Sequence, residues 1–139
     1  MPIITRRTIA ALLPFALTAC AADVSRDKVA IADLMRTMFD RPDSPLNAAP
    51  IVVSRRYAVA DWTQGAAGGR ALLAHSDAGW RLVLCAGDAL RSVDGLVSLG
   101  VPATDAAALA RDLSAAERRE PPTRLAVMAA FVGVVRMDR

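Results

Sequence analysis

YAVADWTQGAAGGRALLAHSDAGWRLVLCAG, residues 57–87, decides the architecture. Tyr57 to Thr63 alternates with a strand's period of two, which sets Ala58, Ala60 and Trp62 on one face. Gly65-Ala66-Ala67-Gly68-Gly69 reads as a loop, because glycine weakens a strand interior. Arg70 to His75 and Trp80 to Cys85 read as two further strands. Ser76-Asp77-Ala78-Gly79 between them has hairpin composition. Upstream, Ile51-Val52-Val53 reads as a strand and Ser54-Arg55-Arg56 as a turn. No connection in this run is long enough for a crossover helix, so the strands form an antiparallel meander.

Helical periods flank the meander. Ser25 is placed to cap a helix, with Asp27 in its first turn. Ile31, Leu34, Met35, Met38 and Phe39 then recur on one helical face. Arg41-Pro42-Asp43-Ser44-Pro45 is turn chemistry and stops the helix. After the meander, Leu90, Val93, Leu96 and Val97 share a face, with Asp88 as a cap and Gly100 as a stop. Thr104 is placed to cap the next helix, in which Leu109 and Leu113 face the core. Arg118-Arg119 lie in its last turn, and Pro121-Pro122 end it. Leu125 to Met137 reads as a short helical turn followed by a strand near 132–137. The expected fold is α+β. Its N-terminal helix packs on a curved antiparallel meander with C-terminal helices, as in cystatin-like or nuclear-transport-factor-like cones.

The first residues have a different character. Arg6-Arg7 precedes a short apolar run, Ile9 to Ala19, which Pro14 interrupts. That run is too short to span a bilayer as a permanent helix. A positive start, an apolar middle and small residues at the end make an export signal. The ending Leu17-Thr18-Ala19-Cys20 resembles the lipobox of bacterial lipoproteins, which implies a diacylglycerol on the Cys20 thiol and cleavage before it. The alternative is cleavage after Ala21, which discards Cys20. Thr5-Arg6-Arg7-Thr8-Ile9 also resembles a twin-arginine signal. The expected organisation is a lipoprotein signal at 1–19, a tether at 20–26 and one domain at 27–139. The expected location is the periplasm, with the chain anchored to a membrane by lipid. A disulfide between Cys20 and Cys85 is not expected, because Cys20 is either lipidated or removed.

Composition excludes one class of partner. Of 17 basic residues, Arg6 and Arg7 belong to the leader, so 15 face 14 acidic ones. A near-neutral chain with no basic stripe and no aromatics among its arginines argues against nucleic acid. Aromatic residues make up only 4% of the chain, so Trp62 and Trp80 are expected as packing anchors of the sheet.

Tyr57 to Trp62, Gly69 to Leu73 and Gly79 to Leu90 resemble a bacterial family, the copper uptake system-associated proteins. The resemblance continues through Gly100-Val101-Pro102, Ala116-Glu117 and Val134 to Asp138, and so covers most of the chain after the leader. It implies an exported, nonenzymatic accessory to copper acquisition. The implied partners are periplasmic copper chaperones or copper transport proteins. It carries no established set of ligand residues.

Soft sulfur ligands suit Cu(I), and imidazole suits either oxidation state. The candidates are Cys85, His75 and Met137, with Met35, Met38 and Met128 behind them. There is no CxxC, no HxxxH and no Met-rich or His-rich run. Methionines at apolar helical positions are ordinarily core filler. A lone turn histidine is ordinarily solvated, and a free cysteine ordinarily packs as a small apolar residue. No cofactor is required; copper is the one the candidates could take. Because converging several sulfurs would pull side chains out of a core, tight copper binding is expected to be shared with a partner.

Catalysis has a thinner basis. Asp61 could act as a base in a cone-shaped cavity, with Tyr57 on the same strand face, but it has no histidine partner. The competing reading is a strand-surface aspartate paired with Arg70. Gly65 to Gly69 lacks the ending of a phosphate loop, and no serine sits in a nucleophile elbow. No catalytic residue is assigned. The expected function is a noncatalytic copper accessory; the alternatives are a small-molecule-binding cone and, third, a cavity enzyme using Asp61. The leader yields a direct test. Mass spectrometry of the exported protein should find acyl groups on Cys20, and Cys20→Ser should release it from membranes. A soluble wild-type chain starting at Ala22 is the opposing outcome.

Overall fold

A computed structural model describes residues 16–137, with side chains described from Ala21 onward. Residues 1–15 of the leader, and the Cys20 side chain, lie outside the described residues. The elements are α1 (Ala16–Phe39), β1 (Asn47–Ser54), β2 (Tyr57–Gln64), β3 (Ala67–Ser76) and β4 (Gly79–Ala86). A 3₁₀ turn (Asp88–Arg91), α2 (Val93–Ser98), α3 (Ala103–Glu117), α4 (Pro122–Ala129) and β5 (Val135–Arg136) follow. The fold is α+β, with five antiparallel strands in the order of the chain. Among the described residues, no helix is long and apolar enough to cross a membrane.

The two sheet faces bury different layers, because strand side chains alternate. On one face, Ile31 and Met35 of α1 pack on Ala58, Ala60, Ala71, Leu73 and Leu82. On the other, Leu96 of α2 and Leu109 and Leu113 of α3 pack on Val59, Leu72 and Leu84. Small alanines facing α1 let that helix lie close to the sheet.

Leu82 and Leu84 should share a face, yet they enter opposite cores. The cause is a bulge: Leu72 pairs with Leu84, but Leu73 pairs with Leu82, so Val83 is an extra residue. That shift also brings Cys85 to the α1 side. A second bulge lies in β1 between Ala48 and Ile51, where Pro50 can sit because β1 is an edge strand.

Several expectations change. The 20–26 tether is helical here and continuous with α1, so Ser25 is not a cap. Most of Ala21 to Arg26 is exposed, so little packing holds that stretch. Met38, Val93 and Val97 are exposed, because each lies at the margin of its helical stripe. Ser92 caps α2 by accepting from the Gly95 N–H, while Asp88 bonds elsewhere. Thr104 lies inside α3, which begins after Pro102 without a side-chain cap. Pro122 opens α4, as proline can at a first helical position. The last strand spans only Val135–Arg136. Trp62 and Trp80 pack against the α1-side core but stay partly exposed. Trp80 Nε1 donates to Asp27 Oδ1 at 3.1 Å, which keeps its edge near the surface.

The expected glycine loop is mostly strand. Only Gly65 and Ala66 make the turn, Gly65 with φ +58°, and Gln64 pairs with Ala67. Gly68 and Gly69 belong to β3, where their missing side chains admit neighbours. A Cβ at Gly68 would meet Val127 of α4 at 2.9 Å; one at Gly69 would meet the Phe131 ring at 2.8 Å. Gly69→Val should therefore displace Phe131 and cost about 1–3 kcal/mol, as overpacking does. Urea denaturation followed by tryptophan fluorescence reads both effects, since Trp62 lies edge-on to Phe131 with centroids 6.1 Å apart.

Candidate functional site

Two features could carry chemistry: a buried ionic cluster and an apolar cavity. They lie on opposite faces of the sheet.

Asp61 and Arg70 face each other in the β2–β3 register and are 0% and 1% exposed. Arg70 Nε donates to Glu117 Oε1 at 2.8 Å and lies 3.4 Å from Asp61 Oδ1. Arg70 Nη1 donates to Asp88 Oδ1 at 3.0 Å. Arg91 Nε sits 3.0 Å from Glu117 Oε2. Burial, reinforced by the neighbouring Glu117 carboxylate, pushes the Asp61 carboxyl up to about 8, against Arg70 and Arg124. Burial also pushes Glu117 upward. There the neighbouring Asp61 carboxyl, the bond from Arg70 and the charges of Arg70 and Arg91 prevail and hold it below its usual value. Burial therefore favours the protonated form of Asp61 at neutral pH, beside the Glu117 carboxylate. The remaining carboxylates, Glu117 and Asp88, then face two guanidiniums, Arg70 and Arg91.

The pairing of Asp61 with Arg70 is present, but Asp61 is not on a strand surface: α3 covers it. Glu117 escaped notice as a site residue, although a signal was available. Asp105, Leu109, Leu113 and Glu117 repeat every four residues, and all four are buried. Asp105 closes the other end of this stripe. It accepts from Arg55 Nε and Nη2, each at 2.9 Å, and from Ser54 Oγ at 2.8 Å.

The cavity has a volume of about 200 Å³ and lies on the α1 side, near the pairing of β4 with β5. Met35 comes from α1, Trp62 from β2, Cys85 from β4, and Phe131 and Met137 from the C-terminal segment. The Cys85 thiol is pushed up to about 11 by burial, with the Trp62 indole pulling the other way. Trp62 Nε1 is itself buried without a hydrogen-bond partner. The Gln64 amide at the cavity is held by the Phe39 and Ser44 carbonyls, each 2.7 Å from Nε2. None of Asp61, Arg70 and Glu117 lines this cavity.

The structure sorts the metal candidates. Cys85, Met137 and Met35 all line the cavity. His75 is elsewhere: it is exposed at the far end of β3, with its ring 5.1 Å from that of Trp80. It pairs with Trp80 in register, while Cys85 pairs with Ala71. Met128 is fully buried and Met38 is 46% exposed; neither lines the cavity. Among the described residues, no three His, Cys, Asp or Glu side chains converge as a metal group. Against known proteins, the chain matches no family model, no curated protein and no solved structure.

The cluster makes a signed prediction. Asp61 has a raised pKa in the folded chain, so its contribution is complete below about pH 4, the unfolded value. That contribution is lost as pH rises toward about 8. Asp61→Asn keeps the size of the side chain and removes the titration. Relative to wild type, the variant should gain at least about 1.4 kcal/mol between pH 4 and pH 8, the worth of one pKa unit. Urea melts at both pH values measure this; parallel curves for the two proteins would reject a buried, proton-bearing Asp61.

Proposed function

We propose that the protein is an exported, lipid-anchored, noncatalytic accessory to periplasmic copper handling. One observation carries the reading: the cavity is apolar and sulfur-lined, with Met35, Cys85 and Met137 at its wall. Sulfur ligands in an apolar wall suit a soft metal and offer little to acid–base chemistry. The perturbed carboxyl of Asp61 supports the same reading from the opposite side. It lies across the sheet from the cavity, tied to Arg70 and Glu117, and so acts as a structural group. The leader with its Leu17-Thr18-Ala19-Cys20 ending supplies export and the anchor, and the resemblance to the copper uptake system-associated family supplies the setting. The anchored domain would hold and position periplasmic copper chaperones or copper transport proteins at the membrane.

A cavity of this volume also fits a small apolar molecule, which keeps the small-molecule-binding reading in view. Copper content separates the two. Deleting the protein from the parent bacterium should lower cellular copper under copper limitation, and the wild-type chain should restore it. Cys20→Ser, without the anchor, should restore less. Unchanged copper in the deletion strain, with an apolar molecule co-purifying with the protein, would replace the copper reading with small-molecule binding.

A further inference from the structure

We propose that Met35, Cys85 and Met137 bind one Cu(I) ion inside the apolar cavity between α1, β4 and β5. This deepens the copper reading above and rests on it for the identity of the metal. The donor set itself comes from the tertiary structure. Three segments distant in sequence each place a sulfur-bearing residue in the lining of one cavity of about 200 Å³. The placement is constrained on every side. Met35 is 1% exposed within the α1 layer. Cys85 is turned to this face by the Val83 bulge and pairs with Val135 of β5. The Met137 N–H donates to the Val83 carbonyl at 2.9 Å, which pins the end of the chain beside β4.

Charge selects the ion. The three sulfurs include one that can become an anion, and the cavity wall is otherwise almost wholly apolar. Cu(I) exchanges with the Cys85 proton: an S–Cu bond forms, the S–H bond breaks, and the proton leaves to solvent. The product is neutral, with two thioethers completing a soft coordination shell. A divalent ion would leave a net positive charge in the cavity, where an uncompensated charge is strongly disfavoured. Trp62 supplies an independent sign. Its Nε1 is buried without a hydrogen-bond partner, and the indole acts on the Cys85 thiol against the effect of burial. A metal-bound thiolate is a stronger acceptor than a thiol. Loading the site would satisfy this orphan donor, the outer hydrogen bond that metal ligands commonly have.

The test uses the full chain with Cys20→Ser, which leaves Cys85 as its sole thiol. Cu(I) is titrated anaerobically against a chromophoric Cu(I) chelator, with Zn(II) in parallel. Expected are one Cu(I) per chain, a thiolate-to-copper absorption band and quenching of Trp62 fluorescence, which Trp62→Phe removes. Cys85→Ser should weaken binding at least about 100-fold. Met35→Leu and Met137→Leu, which conserve volume, should each weaken it about tenfold. Should Cys85→Ser fail to fold, the two leucine variants still decide the matter. His75→Ala should change nothing. Binding that survives Cys85→Ser in a folded chain, binding indifferent to both leucine variants, or Zn(II) bound as tightly as Cu(I) would each overturn the site. So would an apolar dye that fills the cavity of a chain that binds no Cu(I). The site and the copper reading fail separately. Tight Cu(I) binding with unchanged cellular copper removes the function and keeps the site. Lowered cellular copper that a Cys85→Ser chain fully restores keeps the function and removes the site.

Discussion

Arg70 is a guanidinium at the centre of a sheet, covered by a helix, and the arrangement of the domain follows from satisfying it. A buried arginine needs acceptors on several of its nitrogens. Asp61 approaches from the neighbouring strand, Asp88 from the turn after β4, and Glu117 from the last turn of α3. Removing one partner of such a buried pair typically costs about 3–5 kcal/mol. Every element that touches Arg70 is therefore held in place by it.

The other end of α3 repeats the device. Asp105 lies three turns before Glu117 on the same helical face, about 18 Å away at 1.5 Å per residue. It receives Arg55 in a bidentate contact and Ser54 through a hydroxyl, so the β1–β2 hairpin is held to the helix start. Arg55 adopts φ of 53°, an uncommon conformation for a side-chain-bearing residue, and its fork onto Asp105 helps hold it there. Leu109 and Leu113 fill the span between the two contacts. The apolar stripe supplies burial, and the acids at its ends set the register of helix on sheet. Asp105 also sits below its ordinary carboxylate value, chiefly through its bond to Arg55, so this contact weakens only in acid.

With α3 secured on one face, the opposite face can keep a cavity. A bulge and a strand glycine shape it. The Val83 bulge turns Cys85 toward α1, and Gly69 leaves room for Phe131 to lie against Trp62. Polar and soft chemistry are thereby separated by the thickness of one sheet. The side with perturbed carboxyls is filled by its own arginines, and the side with open volume offers sulfur and aromatic carbon.

The sequence by itself determined the strand periods, the antiparallel meander, the helical stripes of α1 and α3, and the α+β class. Period-two and period-3.6 patterns are local, and turn residues punctuate them, so they are legible without any contact. The Asp61–Arg70 pair was legible for the same reason, since one hairpin register sets both residues opposite each other. Tertiary structure alone decided that this pair is buried, because burial depends on α3 packing across it. It decided that Gly68 admits α4 and Gly69 admits the Phe131 ring, since a strand glycine and a loop glycine look alike in sequence. It also gathered Met35, Cys85 and Met137 at one cavity and left His75 outside it. A one-residue bulge reverses which face a strand residue occupies, and no composition or spacing reveals where a sheet will accept one.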